Sequence, residues 1–404
     1  MKISRRHVLS GLSAAAGLSI APGVNVSFAA DGAPARDVLV VVFQRGACDW
    51  LQMLSPAGDP FYQNARRSIR VQLTGTTAGI GVGTLDGTDF YLSASAPELK
   101  PLYDSGKLAF VHATGLYTVD RSHFTCQDNM EKGTADADPS VNSGWLARHT
   151  ASIGVPADLS VVAQGSTTPT SLLSQSASVA ISDPASFNVS GGTANANVMR
   201  LINGAGARTP YKDSALKTLT TIQDVQAGLT GFQDPSGTAG YTNGSFSQSL
   251  RAVGRLIRMN VGVDVVTVDY GGWDMHNNLV AEFATRTTEF SRALAAFWTD
   301  MANYQDRITL VTMTEFGRRF QENANQGTDH GSASGMLILS GNVKGGKIYG
   351  TWPGLAPAAL VSGDLAITTD YRQVLAEILV KRHAEAKLST VFPTLKYAPL
   401  GLFA

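Results

Sequence analysis

The stretch Asp37-Val-Leu-Val-Val-Val-Phe43 decides the fold of this chain. After the aspartate it is a continuous apolar run, rich in β-branched valine and without polar interruptions. Such a run is typical of a strand that is buried on both faces, as in a parallel sheet covered by helices. We therefore predict that it forms a central strand of a parallel sheet.

Similar apolar runs recur along the chain, and stretches with helical spacing of apolar residues lie between them. The further predicted strands are residues 108–112, 263–268, 308–313 and 335–340. The clearest predicted helices are residues 247–259 and 279–305. This alternation favours an α/β fold, a three-layer α/β/α sandwich with a mostly parallel central sheet.

Residues 158–245 differ in composition from the rest, because they are rich in Ser, Thr, Gly, Ala and Asn and carry few charges. We interpret them as an insertion or cap within a single domain that spans residues 31–404, with a helix at residues 215–229. An irregular part of the same domain is the alternative.

Residues 1–30 have the pattern of an export signal. Arg5 and Arg6 precede a mild apolar run that glycine and proline interrupt, so it holds too few apolar residues for the about 20 that a membrane span needs. Small residues near Ala30 fit a cleavage site. The paired arginine favours the twin-arginine route, and a chance pair in an ordinary secretory signal is the alternative. We expect a soluble, periplasmic or secreted protein that uses the twin-arginine translocase and has no stable membrane anchor.

Charge and cysteine content argue against several classes of protein. The chain has 32 basic and 32 acidic residues, and the signal holds three of the basic ones, so the processed chain is slightly acidic. This balance does not favour a nucleic-acid partner.

The two cysteines, Cys48 and Cys126, are too few for a disulfide scaffold or an iron–sulfur cluster. The sequence is compatible with one disulfide between them and with two separate buried thiols.

Polar clusters follow most of the predicted strands. In open α/β sheets, functional groups collect beyond the carboxyl ends of the strands. Five such loops each carry an acidic residue, and three add a histidine close to it. The acidic residues and their histidines are Asp49, Asp120 with His123, Asp274 with His276, Glu315, and Asp329 with His330. Carboxylates and imidazoles are common metal ligands, so the pattern predicts a site for a divalent metal, with Zn, Mn and Ca all open.

Several of these residues have a simpler structural interpretation. Asp49 is either a metal ligand or the N-cap of a helix. Ser122 is either a hydroxyl nucleophile at a helix start or an ordinary cap, and Arg121 beside it can bind an oxyanion. Asp274 and His276 either share a metal ion or form a local hydrogen bond.

The remaining histidines have less functional promise. His112 ends an apolar strand, so we predict a position in the core. His149 and His383 lie in polar, helix-like surroundings, so we predict surface positions.

These motifs resemble the bacterial family called domain of unknown function 1501, which is in turn similar to the alkaline phosphatase and sulfatase superfamily. The resemblance covers essentially the whole chain after the signal. The stretches that carry it are Arg45-Gly46, 121–124 (Arg-Ser-His-Phe), 271–276 (Gly-Gly-Trp-Asp-Met-His), 314–318 (Thr-Glu-Phe-Gly-Arg), 327–331 (Gly-Thr-Asp-His-Gly), 344–350 (Lys-Gly-Gly-Lys-Ile-Tyr-Gly) and 370–372 (Asp-Tyr-Arg).

The resemblance implies an alkaline phosphatase-like fold and a metal-dependent hydrolase. It implies that Asp49 holds one metal and that Asp274, His276 and His330 hold another. Glu315 stands where the superfamily has an Asp-His pair after a strand, but Phe316 and not a histidine follows it. One ligand is therefore missing from the superfamily pattern, unless Asp329 or His123 replaces it.

The predicted function is an exported metal-dependent hydrolase of phosphate or sulfate esters. In this prediction Ser122 attacks the ester in line, while Arg121 and Arg318 neutralise charge on the transferred group. The partner is then a small anionic or ester substrate. The alternative is a non-catalytic periplasmic binding or structural protein that keeps a degenerate metal site.

Overall fold

The computed structural model describes residues 36–117, 120–154, 159–175, 178–189, 192–204 and 212–404. The predicted export signal lies outside the described residues. Among those described, no helix has both the length and the apolar character that crossing a membrane requires.

The strands form one large sheet and one small one. They are β1 (Val38–Gln44), β2 (Leu54–Ser55), β3 (Ile80–Leu85), β4 (Thr88–Leu92), β5 (Leu108–Gly115), β6 (Val161–Gln164), β7 (Val179–Ile181), β8 (Val265–Tyr270), β9 (Ile308–Met313), β10 (Ser334–Ser340), β11 (Lys347–Tyr349) and β12 (Thr369–Asp370). The large sheet has nine strands in the order β11-β5-β10-β9-β1-β8-β6-β7, with β12 also paired to β5. The small sheet has the order β2-β4-β3.

The large sheet is parallel except at β10, which runs antiparallel to both β5 and β9. β1 pairs in parallel with β8 and with β9 at its centre, as the opening apolar run predicted. The carboxyl ends of β1, β5, β8 and β9 therefore meet at one edge of the sheet, and β10 begins at that same edge.

Helices connect these strands and cover the sheet. They are α1 (Trp50–Met53), α2 (Pro60–Ala65), α3 (Leu99–Asp104), α4 (His123–Lys132), α5 (Trp145–Ile153), α6 (Gly192–Gly204), α7 (Lys212–Leu229), α8 (Ser245–Met259), α9 (Leu279–Asp300), α10 (Tyr371–Arg382) and α11 (Leu388–Val391). Short 3₁₀ turns occur at Thr170–Leu172, Pro184–Ser186, Pro235–Thr238, Gln305–Arg307 and Pro357–Ala359.

The two faces of β1 belong to two different hydrophobic cores. Val38, Val40 and Val42 join the core formed with α8 and α9. The alternate residues Leu39 and Val41 join the core formed with α5 and α10. Burying one such side chain contributes about 1.5–3 kcal/mol, so helices on both sides are needed to explain an unbroken apolar strand. The predicted three-layer α/β/α sandwich is confirmed.

The described part of segment 158–245 begins inside the large sheet, because β6 and β7 are two of its strands. The helix predicted at residues 215–229 is confirmed within α7. The division into one domain with an insertion stays a prediction.

The remaining sequence expectations give a mixed result. His112 is fully buried in the core, as predicted. The surface positions predicted for His149 and His383 were wrong, since both are buried and His149 Nδ1 lies 2.9 Å from Glu385 Oε2. A buried carboxylate partner makes an interior imidazole tolerable, and the sequence around His149 gave no sign of it. Cys48 and Cys126 are buried free thiols.

Candidate metal centre

Three connections bring four polar side chains to the edge where the parallel strands end. His123 is the first residue of α4, which follows β5. Asp274 and His276 lie in the loop between β8 and α9. His330 lies in the loop that leads from β9 into β10. These four residues come from distant parts of the sequence and form one cluster because their strands share an edge.

The cluster is centred on one carboxylate oxygen. Asp274 Oδ1 lies 2.9 Å from His276 Nε2, 3.3 Å from His330 Nε2 and 3.4 Å from His123 Nε2. The Nε2 atoms of His276 and His330 are 3.1 Å apart. One ligand atom from each of His123, Asp274 and His330 lies within 4.8 Å of the other two.

Each imidazole is oriented by an oxygen atom at its other nitrogen. Nδ1 of His123 lies 2.8 Å from Glu315 Oε1, and Nδ1 of His276 lies 2.9 Å from Asp329 Oδ1. Nδ1 of His330 lies 2.8 Å from the carbonyl oxygen of Arg121. Because these oxygens accept hydrogen bonds, each neutral ring carries its hydrogen on Nδ1 and presents the lone pair of Nε2 to the cluster.

The residues present fit a divalent cation. Nε2 of His123 is buried and has no hydrogen-bond partner, although a buried polar atom normally has one. The Nε2 atoms of His276 and His330 are 3.1 Å apart, so either one of them carries a proton or a cation lies beside both. Zinc ligands at about 2.0–2.1 Å in tetrahedral array stand about 3.4 Å from one another, close to the distances from Asp274 Oδ1 to His330 Nε2 and His123 Nε2.

The charge state of Asp274 suits a metal ligand. Burial acts to raise its pKa, but the hydrogen bond and the charge of Arg318, with help from nearby histidines, lower the pKa to about 2. Arg318 donates to Asp274 Oδ1 at 2.6 Å. Burial lowers the pKa of His330, which favours the neutral imidazole that metals require.

Glu315 supports His123 and does not itself reach the cluster. It is fully buried, and its Oε1 accepts hydrogen bonds at 2.8 Å from His123 Nδ1, from Gln127 Nε2 and from the backbone N–H of Gly46. Burial acts to raise its pKa, and these hydrogen bonds, that of His123 first, bring it below its usual value. His123 thus lies between Glu315 and the cluster, and the prediction that Glu315 is itself a metal ligand stays a prediction. Asp329 has the same supporting position behind His276.

Asp49 lies outside the cluster, so the structure does not support the prediction that it ligates a metal. Its Oδ2 forms a buried ion pair with Arg66 Nη1 at 2.8 Å and accepts from Thr328 Oγ1 at 3.2 Å. Its Oδ1 caps α1 by accepting from the N–H of Gln52 at 3.2 Å. Of the two interpretations given for Asp49, the helix N-cap is the one that the structure shows, and Arg66 is an additional partner.

Arg318 and Arg121 lie beside the cluster but have other partners. Arg318 is buried, and it donates to Asp274 and to the carbonyl oxygens of Gly46, Ala47, Trp273 and Thr328. The side chain of Arg121 pairs with the buried Asp364, and its carbonyl oxygen binds His330. Direct contact of either guanidinium with a transferred group stays a prediction. In this structure, both arginines position cluster residues.

Ser122 is the N-cap of α4. Its Oγ accepts from the N–H of Thr125 at 3.5 Å, the outer limit of a hydrogen bond, and its own N–H donates to Asp120 Oδ1 at 2.7 Å. The hydroxyl therefore lies one residue before the cluster residue His123 and is held only loosely. Its role as a nucleophile stays a prediction.

Sequence reasoning missed two kinds of residue in this region. His123 was paired with Asp120 in the sequence pattern, but its contact with Glu315 was not predicted. Gln127 lies four residues after His123, one helical turn away, and that spacing is the signal for a shared face. Arg66 binds Asp49 from a segment with no motif, so nothing in the sequence pointed to it.

The fold and the cluster together define an α/β/α protein with a His/Asp cluster that can hold a metal ion. Residues 112–379 match the family described as "Protein of unknown function (DUF1501)", and the chain belongs to this family. The family predicted from the motifs is confirmed. No curated protein matches the chain at a significant level.

Two solved structures resemble the chain at low identity. The lipoteichoic acid synthase LtaP from Listeria monocytogenes has 9% identity and a TM-score of 0.32, with 85% of this chain and 78% of that chain covered. The alkaline phosphatase from the Antarctic bacterium TAB5 has 11% identity and a TM-score of 0.31, with 78% of this chain and 95% of that chain covered. Likeness at this level does not assign an activity.

Proposed function

We propose that this protein is a divalent-metal-dependent hydrolase of phosphate or sulfate esters, in which His123, Asp274 and His330 hold one metal ion and His276 lies beside them. The observation that carries the proposal is the convergence of three imidazole Nε2 atoms on Asp274 Oδ1, within 2.9–3.4 Å. Each of the three rings has an oxygen partner at Nδ1, so in its neutral form each ring presents the lone pair of Nε2 to the cluster.

Zinc is the ion that this donor set favours, with manganese second. Two imidazole nitrogens and one carboxylate oxygen, with a fourth position left open, are typical of catalytic sites for borderline cations. Calcium takes six to eight oxygen ligands and rarely binds imidazole, so we leave it out of the proposal.

The proposal needs only one ion. Asp49 is engaged by Arg66, and the oxygens of Glu315 are engaged by His123 and its neighbours. The two groups expected to serve a second ion therefore have other partners. The proposed site uses the ligands that remain.

When bound, the ion supplies a Lewis acid that polarises an oxygen of the ester group. Ser122 is the proposed nucleophile: its Oγ bonds to phosphorus or sulfur while the bond to the leaving oxygen breaks, and the proton of the serine hydroxyl passes to that oxygen to give the alcohol. Water then attacks phosphorus or sulfur, the bond to the serine oxygen breaks, one water proton restores the hydroxyl, and the inorganic anion leaves with the other. The free N–H groups at the start of α4 favour negative charge near Ser122. Arg318 keeps Asp274 ionised, and Glu315 keeps the proton of His123 on Nδ1.

The first experiment measures metal content and turnover in the same protein samples. We expect about one zinc per wild-type chain and turnover of 4-nitrophenyl phosphate or 4-nitrophenyl sulfate. Asp274→Asn should lose both, and His330→Ala should recover neither when zinc is added back. Asp128→Asn, on the exposed face of α4, is the matched control and should keep both. Equal background rates in wild type and His330→Ala would overturn the hydrolase proposal.

The ion pairs of Arg318 and Arg121 favour a second function, non-catalytic metal binding. In this structure Arg318 binds Asp274 and Arg121 binds Asp364, so both guanidinium groups already have a carboxylate partner. A non-catalytic metal-binding protein fits that arrangement. Stoichiometric zinc that depends on Asp274, with background turnover in every variant, would favour this second function.

A further inference from the structure

One face of α4 carries His123, Gln127 and Glu131, which follow one another at intervals of four residues, about one helical turn each. The first is a proposed metal ligand, and the other two bind the same arginine. Arg45 Nη1 donates to Gln127 Oε1 at 3.0 Å, and its Nη2 donates to Glu131 Oε1 at 2.9 Å. A single guanidinium therefore holds α4 at two points on the face that presents the ligand.

The loop that contains Arg45 also contacts the opposite side of the cluster. The carbonyl oxygen of Arg45 accepts from the backbone N–H of Trp273, the residue before Asp274, at 3.3 Å. Gly46 has a φ of 110°, and a Cβ atom at this position would lie 2.7 Å from the backbone nitrogen of Asp274, closer than such atoms approach. The Arg45-Gly46 motif thus lies between the Asp274 loop and α4, and the metal ligands alone do not account for it.

The orientation of the Gln127 amide is set from both sides. A guanidinium only donates hydrogen bonds, and a carboxylate only accepts them. Gln127 Oε1 therefore faces Arg45, and its Nε2 donates to Glu315 Oε1 at 2.8 Å. The two ends of an amide have nearly the same shape, so without the arginine the amide is free to turn over and bring its oxygen against the carboxylate. The same Glu315 oxygen accepts from His123 Nδ1, so this turn would disturb the partner of the ligand.

We propose that Arg45 is a positioning residue of the metal centre and fixes the orientation of the ligand His123. It acts through two intermediate groups, the amide of Gln127 and the carboxylate of Glu315, and the three successive contacts measure 3.0, 2.8 and 2.8 Å. Each contact joins a group that only donates or only accepts to a group with one suitable end, so each fixes the next. This inference rests on the metal site of the proposed function and does not depend on the hydrolysis of an ester.

Charge alone predicts the opposite effect for a change at Arg45. Arg45→Met removes a positive charge and leaves its two carboxylate partners, Glu131 and Asp269, without a counter-charge. More negative surroundings attract a cation, so simple electrostatics predicts tighter zinc binding. The positioning role predicts weaker binding, because His123 loses its fixed orientation. The direction of the change therefore separates the two explanations.

The experiment measures the zinc affinity of metal-free protein by competition with a chelator. Gln127→Met breaks the series of contacts but leaves both ion pairs of Arg45 in place, so it tests the inference even if Arg45→Met does not fold. We expect Gln127→Met to lower zinc affinity roughly three- to tenfold, less than the loss of a direct partner of the ligand. Arg45→Met should lower the affinity in the wild-type background and should not lower it further in the Gln127→Met background.

Two further measurements exclude a general loss of structure. Denaturant unfolding shows whether each variant is folded. The visible absorption of Co²⁺ bound in place of zinc follows the geometry of its ligands, so we expect it to change in Gln127→Met, whereas a loss of stability alone would leave it unchanged. Gln223→Met, at an exposed glutamine of α7, is the matched control and should alter neither the zinc affinity nor the Co²⁺ spectrum.

The outcomes separate this inference from the proposed function. Unchanged zinc affinity and an unchanged Co²⁺ spectrum in folded Gln127→Met protein would overturn the positioning role and leave the metal centre intact. Tighter binding in Arg45→Met, or an equal loss in both backgrounds, would overturn it as well. A wild type that binds no zinc overturns the metal centre and this inference together. If the wild type binds zinc without turnover, the hydrolase proposal fails, and the affinities still decide the role of Arg45.

Discussion

His123 Nδ1 lies 2.8 Å from Glu315 Oε1, and this contact joins two residues that are 192 positions apart in the sequence. It links the first turn of α4 to the residue two positions after β9. The carboxylate is fully buried, so its charge needs the hydrogen bonds that it accepts. A carboxylate behind a histidine is a common way to orient a metal ligand and to raise its basicity.

Glu315→Gln should therefore weaken metal binding without removing a ligand. Glutamine keeps the shape of the side chain but loses the charge that holds the proton on His123 Nδ1. We expect zinc affinity to fall about 10- to 100-fold, as is usual when such a partner is removed. Competition with a chromophoric chelator measures the change. Glu282→Gln, an exposed residue in the first turn of α9, is the control. Unchanged affinity in Glu315→Gln would show that His123 does not ligate the ion.

The sequence predicted the sheet well because each core strand carries its own signal. An unbroken run of buried residues such as 38–43 is explained only by burial on both faces, and strand bounds from such runs agreed with the structure to within a few residues. The end of β5 was missed because His112 and Thr114 are polar yet fully buried in the strand. The end of a strand is not predicted from the local sequence when its residues are polar and only contacts with distant parts of the chain make their burial favourable.

The candidate site was only partly predictable for a similar reason. The sequence shows which loops carry carboxylates and imidazoles, but it does not show which of them face one another. Asp49 and Glu315 have the same local pattern as Asp274, an acidic residue just after a strand. They differ through Arg66 and His123, partners that come from other parts of the chain. Contacts between residues so far apart in the sequence depend on the fold, and the sequence around each residue does not indicate them.

Asp49→Asn should destabilise the fold and leave the metal in place. Removing one partner of a buried ion pair leaves the guanidinium of Arg66 without a counter-charge, which costs about 3–5 kcal/mol. Denaturant unfolding measures this loss, and elemental analysis measures the metal. Asp59→Asn is a matched control, because Asp59 caps α2 by accepting from the backbone N–H groups of Phe61 and Tyr62. Asparagine caps a helix about as well as aspartate, so this control should change the free energy of unfolding little. Loss of zinc in a folded Asp49→Asn protein would restore Asp49 as a ligand.

We propose that export follows the twin-arginine route, and the paired arginines give a direct test. Changing Arg5 and Arg6 together to lysine should leave the precursor in the cytoplasm, because the receptor of this route reads the arginine pair. Cell fractionation with an antibody to the protein measures the distribution. Lys2→Arg preserves the positive charge outside the pair and should not change export. Continued export of the double-lysine variant would favour an ordinary secretory signal, which needs only a basic start.

Stability should fall as the pH drops below about 6.5, because two buried histidines are neutral in the folded protein. Burial lowers the pKa of His112 from 6.5 to about 4, and burial with the neighbouring His149 lowers that of His383 to about 3. The unfolded chain takes up these two protons near pH 6.5 and the folded chain does not. The free energy of unfolding is therefore fully retained above pH 6.5 and is lost as the pH falls toward 4.

Each of these two rings contributes at most about 1.4 kcal/mol per pH unit to that loss. His112→Gln removes one ring while an amide nitrogen can still donate to the carbonyl oxygen of Leu54, which His112 Nε2 approaches at 3.0 Å. Denaturant unfolding of metal-free protein between pH 7 and pH 4 should show a slope lower by about that amount than in wild type. His383→Gln offers an independent second measurement, since the two rings lie in different parts of the core. If neither variant flattens the profile, these imidazoles are already protonated in the folded state, and the carboxylates alone cause the loss.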